Sequence, residues 1–210
     1  MVGTTKSVTF TGSVTASDPD GIATAGLTVW HGTSAHDPDI VLAPSGSRTC
    51  TAVNATTKKC TATITVDPRD LTKNSYAGAW HVSVSAFDNT DGGVSYSKYK
   101  TAYFQRSSKL TVNASPEPVA RGKTITVTGK LARADWQTHS YRGYGGQAVK
   151  LQFRKAGTSI YTAVKTVRAD STGSLKTTVT ASADGYWRYV FAGTSTTAPV
   201  KATGDFVDVR

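Results

Sequence analysis

Apolar and polar side chains alternate along most of the chain, and this two-residue period limits its fold more than any other feature. In residues 8–16, Val8, Phe10 and Val14 share one face of the segment, while threonines and serines occupy the other. Side chains of a β-strand point alternately to its two faces, so the pattern predicts a strand with one buried face. Thr supplies 34 of the 210 residues, whereas Leu and Met together supply eight and Glu one. Because good helix formers are this scarce, we expect an all-β protein.

Turn residues recur roughly every 8 to 12 residues, the spacing of a β-sandwich. The polar segment Gln105–Lys109 interrupts the alternation, and a new alternating run begins at Leu110. Each side of this break holds enough strand candidates for an immunoglobulin-like sandwich. We therefore predict two tandem immunoglobulin-like β-sandwich domains, residues 1–107 and 108–210. The Pro116–Gly122 segment predicts a crossing between the two sheets of the second domain, because Pro is excluded from central strands.

Cys50 and Cys60 are the only cysteines, and they bracket a polar turn between two alternating segments. This placement predicts a disulfide across a β-hairpin, which forms in an oxidising compartment and favours a secreted or extracellular protein. Two free thiols in a reducing compartment are the alternative. The first residues do not read as a secretion signal, which we expect to be absent or already removed. No apolar run approaches the roughly 20 residues of a transmembrane segment.

Charge is divided unevenly between the two predicted domains. Residues 1–107 contain 9 basic and 8 acidic side chains, and residues 108–210 contain 15 and 6. A basic surface attracts nucleic acid, anionic cell-wall polymer or an acidic protein, and a surface that only keeps the protein soluble is the alternative. Basic residues such as Lys150, Arg154 and Lys165 fall at outward strand positions. They lack the aromatic-interleaved motif of nucleic-acid binders, so we expect a protein or cell-surface polymer as partner and not nucleic acid.

Two acidic turns of the first domain form a candidate calcium site. Asp18 and Asp20 belong to one turn, and Asp88 and Asp91 to the other. In an immunoglobulin-like strand order these turns become the B–C and F–G loops, which emerge at the same end of the sandwich. Calcium takes about six to eight oxygen ligands of this kind. Ordinary turn formation without an ion is the alternative, because Asp and Gly are favoured in turns.

The segment from Arg133 to Gly146 is the candidate recognition loop of the second domain. It is long, rich in aromatic residues, Arg and Gly, and lies between two strand candidates, a position where binding residues concentrate. Trp136, Tyr141 and Tyr144 are expected to stack on sugars or on a protein groove, and Arg142 to pair with an anion. The alternative is structural, with Trp136 capping the end of the sandwich and the tyrosines covering the domain junction.

Motifs for catalysis are missing from the sequence. The four histidines are scattered without an HExxH pattern, and neither a GxSxG elbow nor a phosphate-binding GxxxxGK[ST] loop occurs. His31, His36, Asp37 and Asp39 are residue types that bind transition metals, but we expect this segment to be a solvated loop without a metal. A hydrolase would need Ser, His and Asp to converge in space, which sequence alone does not reveal. We therefore expect that the protein is not an enzyme. We interpret Tyr186, which follows a turn, as an aromatic residue with a structural role.

The second half resembles a known family in residues 126–136 (TVTGKLARADW), 141–147 (YRGYGGQ), 149–154 (VKLQFR), 184–187 (DGYW) and 204–210 (GDFVDVR). The family is an immunoglobulin-like domain that recurs in secreted proteins of Streptomyces and related actinobacteria. The first half is similar, more loosely, to bacterial surface immunoglobulin-like modules with Asp-rich loops. These resemblances imply export and a non-catalytic role, and they assign no site residues.

The sequence thus predicts a non-catalytic, secreted or cell-surface module that acts in binding or as a spacer. The leading mechanism is adhesion to an anionic surface or a protein partner through residues 133–146 and the basic second domain. An inhibitor that inserts the same loop into the cleft of an extracellular enzyme is the alternative. The sequence specifies neither the ligand nor the oligomeric state.

Overall fold

The computed structural model describes all 210 residues and consists almost only of β-strands. The chain divides into two compact units. We call residues 4–105 with Val2 the first sandwich, and residues 106–210 with Met1 and Gly3 the second sandwich. Helical structure is limited to two short 3-10 turns, Pro68–Asp70 and Asn74–Tyr76, and neither has the length or apolar character to cross a membrane.

The first sandwich contains seven strands in two antiparallel sheets. One sheet has the order β1-β5-β4 and the other β3-β2-β6-β7. These are the orders of strands B-E-D and C′-C-F-G of the immunoglobulin fold. The strands are β1 (Val8–Ser17), β2 (Ile22–His31), β3 (Ile40–Leu42), β4 (Thr49–Ala52), β5 (Thr57–Val66), β6 (Gly78–Asp88) and β7 (Gly93–Phe104).

The alternation seen in the sequence places the core of the first sandwich. Every second side chain of β1 is partly covered, from Val8 onwards, while the threonines between are exposed. On β6, Trp80 is fully buried, and its indole Nε1 donates a hydrogen bond to the Tyr76 carbonyl at 2.6 Å. Cys50 and Cys60 lie opposite each other in the β4–β5 ladder and form a disulfide, which confirms the predicted hairpin bond.

The second sandwich has the same architecture. Its first sheet has the order β11-β10-β14, with β8 and β9 also paired to β10, and its second has the order β13-β12-β15, with β16 and β17 both paired to β15. The strands are β8 (Ser108–Leu110), β9 (Asn113–Ser115), β10 (Thr124–Asp135), β11 (Ser140–Gly143), β12 (Ala148–Lys155), β13 (Thr162–Arg168), β14 (Ser174–Thr180), β15 (Gly185–Phe191), β16 (Val200–Lys201) and β17 (Asp205–Val207). Both units are immunoglobulin-like β-sandwiches.

The alternating run that begins at Leu110 does not form one continuous strand. That segment forms the two short strands β8 and β9, because the chain leaves the ladder between Leu110 and Asn113. The predicted crossing between sheets is confirmed: after the two prolines, Val119 forms a parallel bridge with Val209, beyond the last strand of the opposite sheet.

The buried polar side chains of the second sandwich include those of Tyr189 and Arg106. The Tyr189 hydroxyl donates to the Val127 carbonyl at 2.9 Å, and burial raises the pKa of this phenol to about 12. Arg106 is 6% exposed, and its Nε donates to the Ala134 carbonyl. Burial, together with the neighbouring charge of Arg133, lowers the pKa of the Arg106 guanidinium to about 10, so the group stays charged at neutral pH.

Candidate anion-binding face

The outer face of the β12–β15 sheet carries the most prominent cluster of basic and aromatic side chains in the second sandwich. Alternate side chains of β15 are buried, namely Trp187, Tyr189 and Phe191. The alternating residues Tyr186 and Arg188 therefore point to the outer face. The ladder with β12 pairs Arg154 with Tyr186 and Gln152 with Arg188. We call the residues Arg154, Tyr161, Tyr186, Arg188 and Phe206 the arginine–tyrosine face.

The aromatic rings of this face hold the two guanidinium groups in place. The Arg188 Cζ lies 3.6 Å from the centroid of the Tyr161 ring, and the Arg154 Cζ lies 4.1 Å from that of Tyr186. Arg154 is also 5.3 Å from the Tyr161 centroid, so both arginines share one ring. The Tyr186 and Phe206 rings pack with their centroids 5.1 Å apart. Such stacking orders side chains that would otherwise sample many rotamers.

Neither arginine of the face has a carboxylate partner. The side-chain ion pairs of the chain are His31–Asp39, Arg69–Asp67 and Arg210–Asp208. Two carboxylates on neighbouring segments bind backbone amides instead: Asp184 accepts from the Val209 N–H at 2.7 Å and Asp205 from the Ala114 N–H at 2.6 Å. Neither guanidinium group of the face therefore forms an ion pair within the sandwich.

The hydrogen bonds of the two arginines leave donors for a ligand. Arg188 donates through Nε to the Gln152 Oε1 at 2.9 Å, and Arg154 donates through one terminal nitrogen to the Thr158 carbonyl. Each guanidinium has five N–H groups in a planar fork, which suits two-point contact with sulfate, phosphate or carboxylate. The arrangement is therefore suited to binding anions.

The predicted recognition loop at residues 133–146 is largely a β-hairpin, which corrects the sequence interpretation. Strands β10 and β11 pair in a regular register that places Arg133 opposite Arg142. Trp136 is fully buried and donates from Nε1 to the Gly3 carbonyl at 3.1 Å. Its ring is therefore not exposed for stacking on a ligand or for insertion into an enzyme cleft. The short turn after β10 directs this residue inward.

The other three residues of the predicted loop lie closer to the surface. Tyr144 packs against Phe191 of the core, and Arg133 covers its ring at 3.9 Å. Lys109 covers the Tyr141 ring at 4.0 Å, so both tyrosine rings already contact a cation of this chain. Arg142 is exposed on β11, and its role in binding an anion stays a prediction.

The two acidic turns of the first sandwich do meet at one end, as the strand order predicted. The Asn89 side-chain amide donates to the Asp20 carbonyl at 2.9 Å, and the Asn89 N–H donates to the Gly21 carbonyl. Asp18 closes its own turn by accepting the Asp20 N–H. Asp20 and Asp91 are exposed.

The Asp88 carboxylate accepts more hydrogen bonds within its own turn than the Asp18 carboxylate does. One oxygen of Asp88 accepts hydrogen bonds from the Thr90 N–H, the Thr90 hydroxyl and the Gly92 N–H, and these bonds lower the pKa of this carboxyl. No group of three or more His, Cys, Asp or Glu side chains in the chain has an arrangement that holds a metal ion. The calcium site stays a prediction; if it forms, a chelator lowers the melting temperature of the first sandwich alone.

The sequence interpretation missed the aromatic half of the arginine–tyrosine face. Tyr186 was interpreted as structural because it follows a turn, yet it is two residues before Arg188 on the same face of β15. The alternation itself contains the signal, since Trp187 and Tyr186 necessarily point to opposite faces. What the sequence does not show is that Tyr161 and Phe206 reach the same surface.

Comparisons with known proteins give a family match for part of the chain. Residues 2–86, less than half of the chain, match a family of unknown function, DUF5707. This match lies in the first sandwich, whereas the clearest resemblance noted in the sequence lies in the second. No curated protein matches the chain.

Similar solved structures include fragments of titin. A mutated three-immunoglobulin variant is 14% identical with a TM-score of 0.39, and an I-band fragment is 14% identical with a TM-score of 0.36. A further crystal structure of titin domains is 12% identical with a TM-score of 0.29. The matches cover 95%, 98% and 95% of this chain but only 59%, 60% and 59% of those chains. At these scores the similarity carries no argument about function.

Proposed function

We propose that this protein is a secreted, non-catalytic binding module that attaches to an anionic cell-surface polymer through the arginine–tyrosine face. The observation that carries the proposal is the stack of Arg154, Tyr161 and Arg188, in which two guanidinium groups are ordered by aromatic rings and lack a carboxylate partner. The disulfide of the first sandwich supports an oxidising, extracellular location.

The charge of the second sandwich supports the same partner. Residues 108–210 contain 15 basic and 6 acidic side chains, so a polyanion is attracted from a distance and binding weakens as salt is added. Long-range attraction alone does not select a site. The stacked arginines add a place where an anionic group is bound by directed hydrogen bonds.

The test compares two double variants with the same loss of charge. Arg154→Gln with Arg188→Gln removes both cations of the face. Arg121→Gln with Lys176→Gln removes two exposed cations elsewhere in the second sandwich and serves as the control. Binding of a sulfated polysaccharide and of inorganic polyphosphate is measured by titration at several salt concentrations.

We expect the face variant to bind at least about tenfold more weakly, because each charge-assisted hydrogen bond contributes about 1.5–3 kcal/mol. The control is expected to lose less than about threefold and to change mainly the salt dependence. Equal losses in the two variants would contradict the proposal, because they would show that binding depends on non-specific charge attraction. Failure of the unmodified protein to bind either polyanion would overturn it.

A further inference from the structure

Strand β1 lies at an open edge of the first sandwich. In the immunoglobulin order A-B-E-D, strand A pairs with the outer edge of strand B, and β1 occupies position B in the order β1-β5-β4. No strand of the sandwich occupies position A. The residues before β1 lead elsewhere, since the Val2 N–H donates to the Gln105 carbonyl, just past the end of β7. One row of backbone donors and acceptors of β1 is therefore unpaired.

The sequence of β1 does nothing to protect this edge. The strand reads VTFTGSVTAS, without a charged residue or Pro, and it pairs with β5 over all ten residues without a bulge. Natural proteins usually protect such edges with lysines, prolines or bulges. Strand β7, at the edge of the other sheet, shows these devices: Lys98, Lys100 and a bulge opposite Val82–Val84. This contrast indicates that the edge of β1 remains available for pairing with an additional strand.

A cavity of about 290 Å³ with a mixed polar and apolar lining opens beside β1. Its apolar part is formed by Val14 and Ala16 of β1, by core residues including Ala86, and by Val94 and Tyr96 of β7. Val94 and Tyr96 pair with Ala86 and Val84 and so belong to the inward face of their sheet. They are nevertheless 55% and 57% exposed, because nothing in the opposite sheet covers them. A strand at position A would cover this opening.

One end of the cavity is acidic. Asp18 and Asp88 line it, and the turn hydrogen bonds that lower the pKa of Asp88 keep this carboxylate ionised. Asp18 directly follows the last residue of β1. A strand that runs antiparallel to β1 therefore has its N-terminal end next to the two carboxylates. This geometry favours a basic residue at that end.

We propose that β1 binds an extended peptide of a partner protein as an added antiparallel strand. Small apolar side chains at alternate positions of that peptide fill the cavity, and a basic residue near its N-terminal end faces Asp18 and Asp88. Main-chain hydrogen bonds supply affinity in this mode, and the pockets for alternate side chains supply specificity. The site is separate from the arginine–tyrosine face, so either proposal can fail alone.

The first test uses a synthetic peptide of about ten residues with two lysines followed by alternating Val and Thr. Binding to the full chain is measured by fluorescence anisotropy of a labelled peptide. We expect a Kd between about 1 μM and 1 mM. A second peptide carries N-methyl groups on alternate amides, which removes ladder donors and keeps the side chains, and a third has the valines grouped together. Both are expected to bind at least about tenfold more weakly.

The second test changes the cavity with a matched control. Val94→Lys puts a positive charge into the opening at a residue that is already half exposed, so the fold should tolerate it, and Val53→Lys changes an exposed valine of the β4–β5 turn. Val94→Lys should weaken peptide binding about tenfold, because it repels the lysines of the peptide and places a charge where apolar side chains would lie, and Val53→Lys should leave binding unchanged. Equal binding of the N-methylated peptide, equal effects of the two variants, or no binding at about 1 mM would overturn the proposal. Self-association of the chain abolished by Val94→Lys would assign the edge to a second copy instead.

Discussion

The two sandwiches share the central strand pairings of both sheets but differ in how the edge beside strand B is closed. In the second, β8 and β9 pair with β10 in position A, and the chain then crosses to form the Val119–Val209 bridge on the opposite sheet. In the first, β1 has no such neighbour and a cavity opens beside it. The difference shows that the two-sheet core of this fold forms without strand A, and that strand A determines whether the side of the sandwich is sealed.

The segment that forms β8 and β9 also changes the surroundings of the glycine in strand B. A Cβ on Gly129 of β10 would collide with the Thr111 backbone carbonyl and would lie 2.9 Å from the Tyr189 ring. For a Cβ on Gly12 of β1, the three nearest atoms all belong to the Leu27 side chain, the closest at 2.6 Å. A leucine side chain can rotate away, whereas the backbone at Thr111 is tied to β10 by the hydrogen bond from the Thr111 N–H to the Lys130 carbonyl. Equivalent glycines are therefore needed for different reasons.

Removal of the disulfide is expected to give the largest effect, because the first sandwich depends on this covalent link and the second has none. Cys50→Ala with Cys60→Ala releases a loop closed over a sequence separation of 10 residues, which costs about 2–3 kcal/mol. Calorimetry of the full chain should show the transition of the first sandwich fall by about 10 °C or more. A shift of the second transition by a similar amount would contradict independent folding of the two units.

Alanine at the two equivalent glycines should sharpen the comparison at a smaller scale. Gly129→Ala is expected to destabilise the second sandwich by about 1–3 kcal/mol, since the neighbouring strand has to move. Gly12→Ala should change the first sandwich by less than about 1 kcal/mol, because Leu27 can adjust and alanine favours ordered backbone over glycine. Urea unfolding of each variant measures both values. A larger loss at Gly12 would show that the first sandwich is sealed as tightly as the second.

The smallest expected effect concerns a turn that the two sandwiches share. Asp88 and Asp170 each accept bonds from an N–H and a hydroxyl of the threonine two residues on, and from the N–H four residues on. These bonds lower the pKa of both carboxyls. A lowered folded-state pKa gives stability that is present above the unfolded pKa and lost as pH falls through the folded one.

Acid unfolding of single variants tests this turn. Asp88→Asn should flatten the pH dependence of the first sandwich below about pH 4, and Asp170→Asn that of the second. Melting temperatures between about pH 2 and pH 5 measure the slopes, and each variant is the other's control. An unchanged slope in both variants would mean that other carboxylates dominate the acid response.

Features that follow from local alternation were predictable from the sequence. The alternating residues Ala62, Ile64 and Val66 of β5 are buried, and the facing cysteines are bonded as predicted. The sequence left open whether Trp136 is exposed for binding or caps the end of the sandwich, because the sequence of the four-residue turn between β10 and β11 does not reveal that the side chain points inward. The arginine–tyrosine face depends on pairing between β12 and β15, whose paired residues are 30 to 40 positions apart in the sequence.

The diagonal placement of the two stacked arginines has a consequence for selectivity. Arg154 pairs with Tyr186, and Arg188 is two residues further along β15. The backbone positions of such diagonal neighbours are about 7–8 Å apart, and stacking of both side chains on the Tyr161 ring restricts where the two guanidinium groups lie. A polymer whose anionic groups recur at a comparable interval contacts both arginines at once, whereas one with sparser charges contacts them singly. The ligand would then be selected by the repeat distance of its charges and not by the order of its units.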